Sequence, residues 1–364
     1  MSYLRNINVR WGCFDLTDVL KMRFKDDEVE RYMIEKGDLV LCEGGEPGRC
    51  AIWDKANPIM FQKALHRIRC HGGVLNEYLK YVIEDYAKAN KLEEYYTGST
   101  IKHLTGESLV SILFPLPPIK EQERIVQEIQ RYLSLVAIIE NNKENLLAAI
   151  KQAKSKVLDL AIHGKLVPQD PNDEPAIELL KRINPKAEIT CDTPQYGKLP
   201  KGWCETHIGD AFKVTMGQSP DGSSLNPIDG MEFHQGKILF GNKYLRKSSV
   251  LTNSPTKIAD ADTLLLCVRA PVGVVNITKQ RICIGRGLCC LTPTKAINLD
   301  YAFYMLTTFQ EKFESQSTGS TFKAISGSII KNEQLWLPPL SEQHRIVAKI
   351  EELFAQLDKI EASL

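Results

Sequence analysis

The chain repeats itself at long range, and that repeat limits its architecture more than any other feature. Thr97-Gly98-Ser99-Thr100-Ile101-Lys102 returns as Thr318-Gly319-Ser320-Thr321-Phe322-Lys323. Pro117-Pro118-Ile119-Lys120-Glu121-Gln122-Glu123-Arg124-Ile125-Val126 returns as Pro338-Pro339-Leu340-Ser341-Glu342-Gln343-His344-Arg345-Ile346-Val347. Both pairs stand the same 221 residues apart, with no gap between them. Upstream the likeness weakens. Residues 36–42 resemble 261–267, Tyr78 and Tyr81 are spaced like Tyr301 and Tyr304, and Tyr3-Leu4-Arg5 resembles Tyr244-Leu245-Arg246. The offsets drift there, as loops of unequal length make them. The chain therefore reads as two copies of one unit, a globular domain followed by a helix.

Each Pro-Pro opens a patterned helix, since proline's missing N–H is no loss in a first turn. Ser341 is placed to cap the second one. In the first, Ile125, Ile129, Tyr132, Val136, Ile139, Lys143, Leu146, Ile150, Ala153, Val157 and Leu160 follow steps of four and three. Only Lys143 breaks the apolar run, and such a seam is the mark of a coiled coil. Ile346, Ile350, Leu353, Leu357, Ile360 and Leu364 repeat it. From Ile125 to Leu160 the seam measures roughly 54 Å at about 1.5 Å per residue. Such a seam can dimerise with another molecule, but two matching seams in one chain can bury each other. Short connections favour the second helix running antiparallel along the first.

The expected class is α+β: two mixed α/β domains joined by two long antiparallel coiled-coil helices, with pseudo-two-fold symmetry. The boundaries read as a first domain over 1–116, a helix over 117–167, a proline-punctuated linker over 168–198, a second domain over 199–337 and a shorter helix over 338–364. Strands are expected over 38–43 and 263–269 and helices over 77–90 and 300–315, with a short helix near Ala176–Ile183 inside the linker. The first domain looks incomplete at its N-terminal side, lacking the opening forty-odd residues of the second.

Charge sets a further limit. The formal net charge is +1, so any nucleic-acid surface must be local and balanced by acids elsewhere. The 10 cysteines form no Cys-x-x-Cys pair and no zinc spacing, and are expected as reduced thiols in a cytoplasmic protein. No apolar run reaches membrane-spanning length, and no signal peptide opens the sequence. No metal or cofactor is expected.

The pattern Leu-Pro-Pro-(Ile/Leu)-x-Glu-Gln-x-Arg-Ile-Val, at 116–126 and 337–347, resembles the start of the long helices in Type I restriction–modification DNA specificity subunits. The stretch from Leu158 to Pro171 is similar to the central region of that family. Leu199-Pro200-Lys201-Gly202-Trp203 looks like the entrance to a target recognition domain. The resemblance implies that each domain reads half of a bipartite target in double-stranded DNA and that the helices set the unread spacer. It also implies two methyltransferase subunits as partners, with restriction subunits joining them.

Phosphates call for Lys, Arg and hydroxyls, and base edges for Arg, Lys, Asn and Gln. The hydroxyl-rich repeat therefore supplies Thr97, Ser99, Thr100 and Lys102 in one copy and Thr318, Ser320, Thr321 and Lys323 in the other. The same repeat could equally be a turn kept for folding. Basic clusters add Lys63 with Arg67, Lys243 with Arg246, and Arg269 before Ala270-Pro271. Catalytic motifs are missing from the sequence. Leucine stands where an amino-methyltransferase needs Asn or Asp before Pro-Pro, Gly44-Gly45-Glu46-Pro47-Gly48 lacks the lysine of a phosphate-binding loop, and Pro171-Asn172-Asp173 lacks the Glu-x-Lys of a nuclease core. His163 beside Gly164 reads as a helix end. The chain is thus expected to be a non-catalytic DNA reader. The alternatives are a coiled-coil adaptor without a DNA role and a silent fragment of such a subunit.

Overall fold

The computed structural model describes residues 1–98, 100–189, 199–318 and 323–364. The chain divides into two compact units, Met1–Asn142 and Lys143–Leu364.

In the first unit, Leu39–Cys42 is the middle strand of an antiparallel sheet, flanked by Cys50–Ile52 and Leu65–Ile68. All four of its residues are buried, as an unbroken apolar run requires of a strand covered on both faces. Leu39 and Leu41 pack with Ile83 of the helix Asn76–Lys88, and Val40 and Cys42 pack with Leu4, Trp53 and Phe61. A companion sheet has the order Leu20–Lys21, Ser2–Leu4, Ile59–Phe61, Met33–Ile34.

The second unit repeats the plan with more strands. Its first sheet has the order Phe212–Met216, Leu288–Pro293, Thr263–Cys267, Val275–Thr278. Its companion runs Leu225–Asn226, Leu251–Thr252, Met231–His234, Ile282–Ile284, Ile258–Ala259. Cys42 faces Leu65 as Cys267 faces Leu288, and Leu4 lies parallel beside Phe61 as His234 does beside Ile284.

That register corrects one alignment. Ser2–Leu4 is the counterpart of Met231–His234, so Tyr3-Leu4-Arg5 does not correspond to Tyr244-Leu245-Arg246; sheet pairing outweighs a three-residue likeness. Met1 accordingly aligns with Met231. Three other expectations change. The helix expected over 300–315 is two, Leu299–Thr307 and Gln310–Gln316. Between them Thr307 and Thr308 turn their hydroxyls back onto the carbonyls of Phe303 and Met305, a bond that competes with helix continuation. The stretch expected as a linker holds the short helix expected there but is docked on the second unit rather than free. Ala176–Ile183 is a helix with Ala176 and Leu180 buried in the core of the second unit, and Asp173 receives both Arg345 Nη atoms at 3.2 and 2.6 Å. Residues 190–198 lie outside the described residues. Ser341 does not cap its helix, which starts at Leu340 without a side-chain cap.

What holds the helix starts is glutamine. Gln343 Oε1 accepts from the Asn298 amide, while its Nε2 donates to the Ala296 and Pro338 carbonyls. Gln122 does the same with the Leu75 amide and the Gly73 and Pro117 carbonyls. Both side chains are fully buried, so the Glu-Gln of the repeated motif rivets each helix to the loop before the preceding helix. Tyr78 and Tyr301 add a matching bond, donating to the Pro115 and Trp336 carbonyls.

The long helix is Ile119–Ile162 and its twin is Leu340–Ala362. Within the second unit they run antiparallel: Lys143 Nζ reaches the Leu364 carbonyl at 2.6 Å, and Lys154 pairs with Asp358 and Glu361 at 2.6 and 2.9 Å. Ile150, Ile346 and Ile350 are buried; Val157, Leu160, Leu353 and Leu357 are partly so. Toward the start of the long helix, Ile125 and Ile129 are also partly covered. The expectation of a seam buried throughout fails between them. Tyr132, Val136, Ile139 and Leu146 are 58%, 50%, 65% and 40% exposed, and Ile360 is 44% exposed. Leu364 already stands beside Lys143, so the shorter twin covers only part of the longer seam.

Candidate nucleic-acid interface

The hydroxyl-rich repeats are closed loops. Thr97 and His103 exchange both backbone bonds, at 2.8 and 2.9 Å, and Thr318 and Ala324 do likewise at 3.0 Å each. Each loop thus leaves and returns through one bridged pair, with Thr97, Thr100, Lys102, Thr318 and Lys323 exposed. Gly98 has φ +92, and a side chain there would strike the Ile101 carbonyl; the turn therefore needs glycine. Ser99, Ser320 and Thr321 lie outside the described residues. Lys102 is drawn to Glu93 at 2.7 Å, which holds its ammonium above the ordinary lysine range.

In the second unit this loop docks beside a strand exit. Ala270 donates to the Lys323 carbonyl and Ile325 to the Val268 carbonyl, and Arg269 bridges Ala324. A small cleft of about 110 Å³ opens there, lined by Gln235, Gly236, Lys237, Cys267, Arg269 and Gly287. Arg286 precedes Gly287. Both flanking glycines are dictated by packing, because a Cβ at Gly287 would meet the Gln235 carbonyl and one at Gly285 would meet the Phe233 ring at 2.9 Å. The tight turn leaves Arg286 exposed. Arg246 is tied to the segment that follows Lys237: its amide donates to the Leu239 carbonyl and its Nη2 to the Ile238 carbonyl at 2.9 Å. The cleft is thus lined by two cations, Lys237 and Arg269, while Arg286 is the neighbour of its lining residue Gly287 and the Lys323 carbonyl accepts from the Ala270 amide. Such a surface suits phosphates and base edges.

Other predicted cations are used inside the fold. Lys243 pairs with Asp300 and Glu351 at 2.9 Å each and lies over the Tyr304 ring at 5.0 Å. Burial works against its charge, but the two carboxylates overrule it and raise the pKa above the lysine norm. Arg67 donates to the Glu30 and Met33 carbonyls at 3.0 and 2.5 Å. Lys63 is exposed. Because Glu43 donates to Ala64 as Val268 does to Gly287, Lys63 stands where the second unit has Arg286, and Gly44 where it has Arg269. Lys237 and Arg286 escaped the sequence reading. Arg286 did leave a signal, an arginine between two glycines.

Among the described residues no group of three His, Cys, Asp or Glu side chains could hold a metal ion, and no helix is long and apolar enough to cross a membrane. Burial pushes the thiols of Cys42 and Cys267 up to about 11 and about 12, which keeps them protonated and unreactive. His163 Nδ1 lies 2.7 Å from the Asp159 carbonyl and its ring packs edge-on against Trp336, as a helix-end residue does.

Comparison with known proteins agrees with this geometry. The chain is 27% identical over 347 residues to the putative type I restriction enzyme MjaX specificity subunit of Methanocaldococcus jannaschii, covering 92% of this chain and 76% of that one. It is 24% identical to the type I restriction enzyme EcoKI specificity subunit of Escherichia coli K12, covering 99% and 77%. Its fold resembles that of the HsdS subunit from Thermoanaerobacter tengcongensis, with a TM-score of 0.63 at 23% identity over 99% of this chain and 85% of that one. A chain from a structure of type I R-M complex assembly gives 0.65 at 24% identity, over 91% and 77%. The family described as Type I restriction modification DNA specificity domain matches twice, over residues 23–148 and 200–364. With most of both repeats matched, the chain belongs to the Type I restriction–modification DNA specificity family.

Proposed function

We propose that this chain is the DNA-reading, non-catalytic specificity subunit of a Type I restriction–modification assembly, acting in the cytoplasm. Each globular domain reads one half of a bipartite duplex target, and the paired helices set the spacer between the halves. The same helices dock two methyltransferase subunits, and restriction subunits join the complex for cleavage. The observation that carries this reading is the double family match, one on each copy of the repeat. In the second domain the cleft lined by Lys237 and Arg269 is the centre of the reading surface, which Thr318, Ser320, Thr321, Lys323, Arg246 and Arg286 extend. In the first domain Thr97, Ser99, Thr100, Lys102 and Lys63 take the equivalent role.

The test is duplex binding by the chain with its methyltransferase partners over a salt series, together with the methylation pattern of the host genome with and without the gene. The expected result is a steep fall in affinity with salt and a two-part methylated motif that vanishes on deletion. Salt-independent binding and an unchanged methylome would leave a coiled-coil adaptor.

A further inference from the structure

The corner where the hydroxyl-rich loop meets the strand exit is filled in opposite ways in the two domains. In the second domain the exit residue is Arg269, and it bridges Ala324 of the loop. The first domain has the same backbone arrangement. Leu104 donates to the Glu43 carbonyl at 2.7 Å as Ile325 does to that of Val268 at 3.0 Å, and Thr97 pairs with His103 as Thr318 does with Ala324. Gly44 therefore stands in the place of Arg269, and His103 in that of Ala324. One domain has a long side chain on the exit and a small one on the loop; the other has no side chain on the exit and an imidazole on the loop.

The backbone does not ask for glycine at position 44. Gly45 and Gly48, in the same turn, have φ +75 and +93, which favours glycine, whereas Gly44 has no positive φ. What the missing side chain provides is room: a Cβ at Gly44 would lie 3.0 Å from His103 Nδ1 and 3.1 Å from its Cε1. The ring thus lies half-buried against the bare Gly44 backbone, and its nitrogens hydrogen-bond to nothing among the described residues. A neutral imidazole in that position keeps one donor and one acceptor unspent. Neighbouring polar side chains are used inside the fold. Arg5 takes the place of Gln235 by strand register and is drawn to Asp18 at 2.6 Å. Asn6 donates to the Gly44 carbonyl at 2.5 Å, and His66 lies 2.9 Å from the Leu104 carbonyl. Lys63 and Lys102 are exposed point charges, which suit phosphates.

We propose that His103 is a base-reading side chain of the first domain, given by Gly44 the place that the Arg269 side chain has in the second. The inference rests on the DNA-reading role proposed above and deepens it: the two half-sites are read by different chemistries. An imidazole nitrogen makes a single bond to a base edge, whereas a guanidinium forks onto guanine O6 and N7.

The test uses the full chain assembled with its methyltransferase partners, read by the methylated motif of the host genome and by competition among single-base variants of the target. His103→Ala should melt as the parent does, lose about tenfold in discrimination at one base pair, and leave the other half-site as it was. Arg269→Ala should relax a position in that other half-site, so each variant is the control for the other. Gly44→Arg alone drives a side chain into the ring and should melt lower. Gly44→Arg combined with His103→Ala rebuilds the corner of the second domain; it should recover the lost stability and shift the affected base pair toward guanine. The inference is overturned if His103→Ala folds and keeps the parental motif, or if it relaxes the same half-site as Arg269→Ala. It is equally overturned if the double variant folds with the parental motif, or melts no higher than Gly44→Arg alone. An assembly that methylates no two-part motif and binds duplexes without salt dependence fails at the DNA-reading role itself, whatever stands at position 103, and takes this inference with it.

Discussion

Arg269 lines the cleft and Arg286 is exposed next to its lining residue Gly287, and the two side chains separate in function by how their loss is read. An arginine on base edges contributes about 1–3 kcal/mol of discrimination, whereas one on phosphate contributes salt-dependent affinity to every sequence. Arg269→Ala is expected to weaken specific binding ten- to hundredfold and relax the motif at one position, read by competition against single-base variants of the target. Arg286→Ala is expected to weaken all duplexes alike and lower the salt slope by about 1. A second residue-scale expectation concerns Glu342. Burial raises its carboxyl above the usual glutamate range. The folded state therefore holds the Glu342 proton more tightly than the unfolded one, so its contribution to stability falls as pH rises above the ordinary value of 4.5. Glu342→Gln removes that term. The melting temperature of the wild type relative to the variant should then decline from pH 4 to pH 7, and a constant difference would contradict the assignment. At this scale the sequence spoke unevenly. Lys63 was visible because it stands in a basic run, while its twin Arg286 was not, because a lone arginine between glycines forms no cluster.

Among the elements, the two helices carry the same motif but meet different surroundings. The buried glutamine rivet is common to both, and losing it leaves an amide and two carbonyls without their partner. Gln343→Ala is expected to destabilise by about 2–4 kcal/mol in chemical denaturation, since each unsatisfied buried group costs about 1–3 kcal/mol; a loss below about 1 kcal/mol would refute the role. The middle of the long helix is the opposite case. Val136→Asp should stay within about 1 kcal/mol of the parent because the site is half exposed. Ile350→Asp should cost more than about 4 kcal/mol or prevent folding, because it buries an unpaired charge. Heptad steps announced both helices correctly. They could not announce which stretch of seam is covered, since that depends on where the shorter partner ends. The strand Phe212–Met216 went unannounced for a related reason: its partner Leu288–Pro293 lies about seventy residues further on, and nothing local in the sequence reports such a pairing.

For the molecule as a whole, near-neutrality and DNA reading are compatible only if the positive charge is gathered in one place. Neutralising Lys237, Arg246 and Arg286 together to glutamine is expected to flatten the salt dependence of duplex binding by about 2–3 logarithmic units of slope. A triple variant with the parental slope would place the phosphates elsewhere. The repeat made the two-copy architecture legible at once, because long exact matches survive where short ones mislead, as Tyr3-Leu4-Arg5 did. What stayed hidden was the register between the two copies. It emerged only when strand pairing, rather than residue likeness, aligned Met1 with Met231.

The glutamine rivets have a consequence for precision. A helix of 44 residues is about 66 Å long at about 1.5 Å per residue. A swing of about 10° at its base would carry the far tip some 11 Å, close to three base steps at about 3.4 Å each. Three hydrogen bonds on one buried amide turn a would-be swivel into a weld between each helix and the domain that precedes it, and the spacer role proposed above requires such a weld.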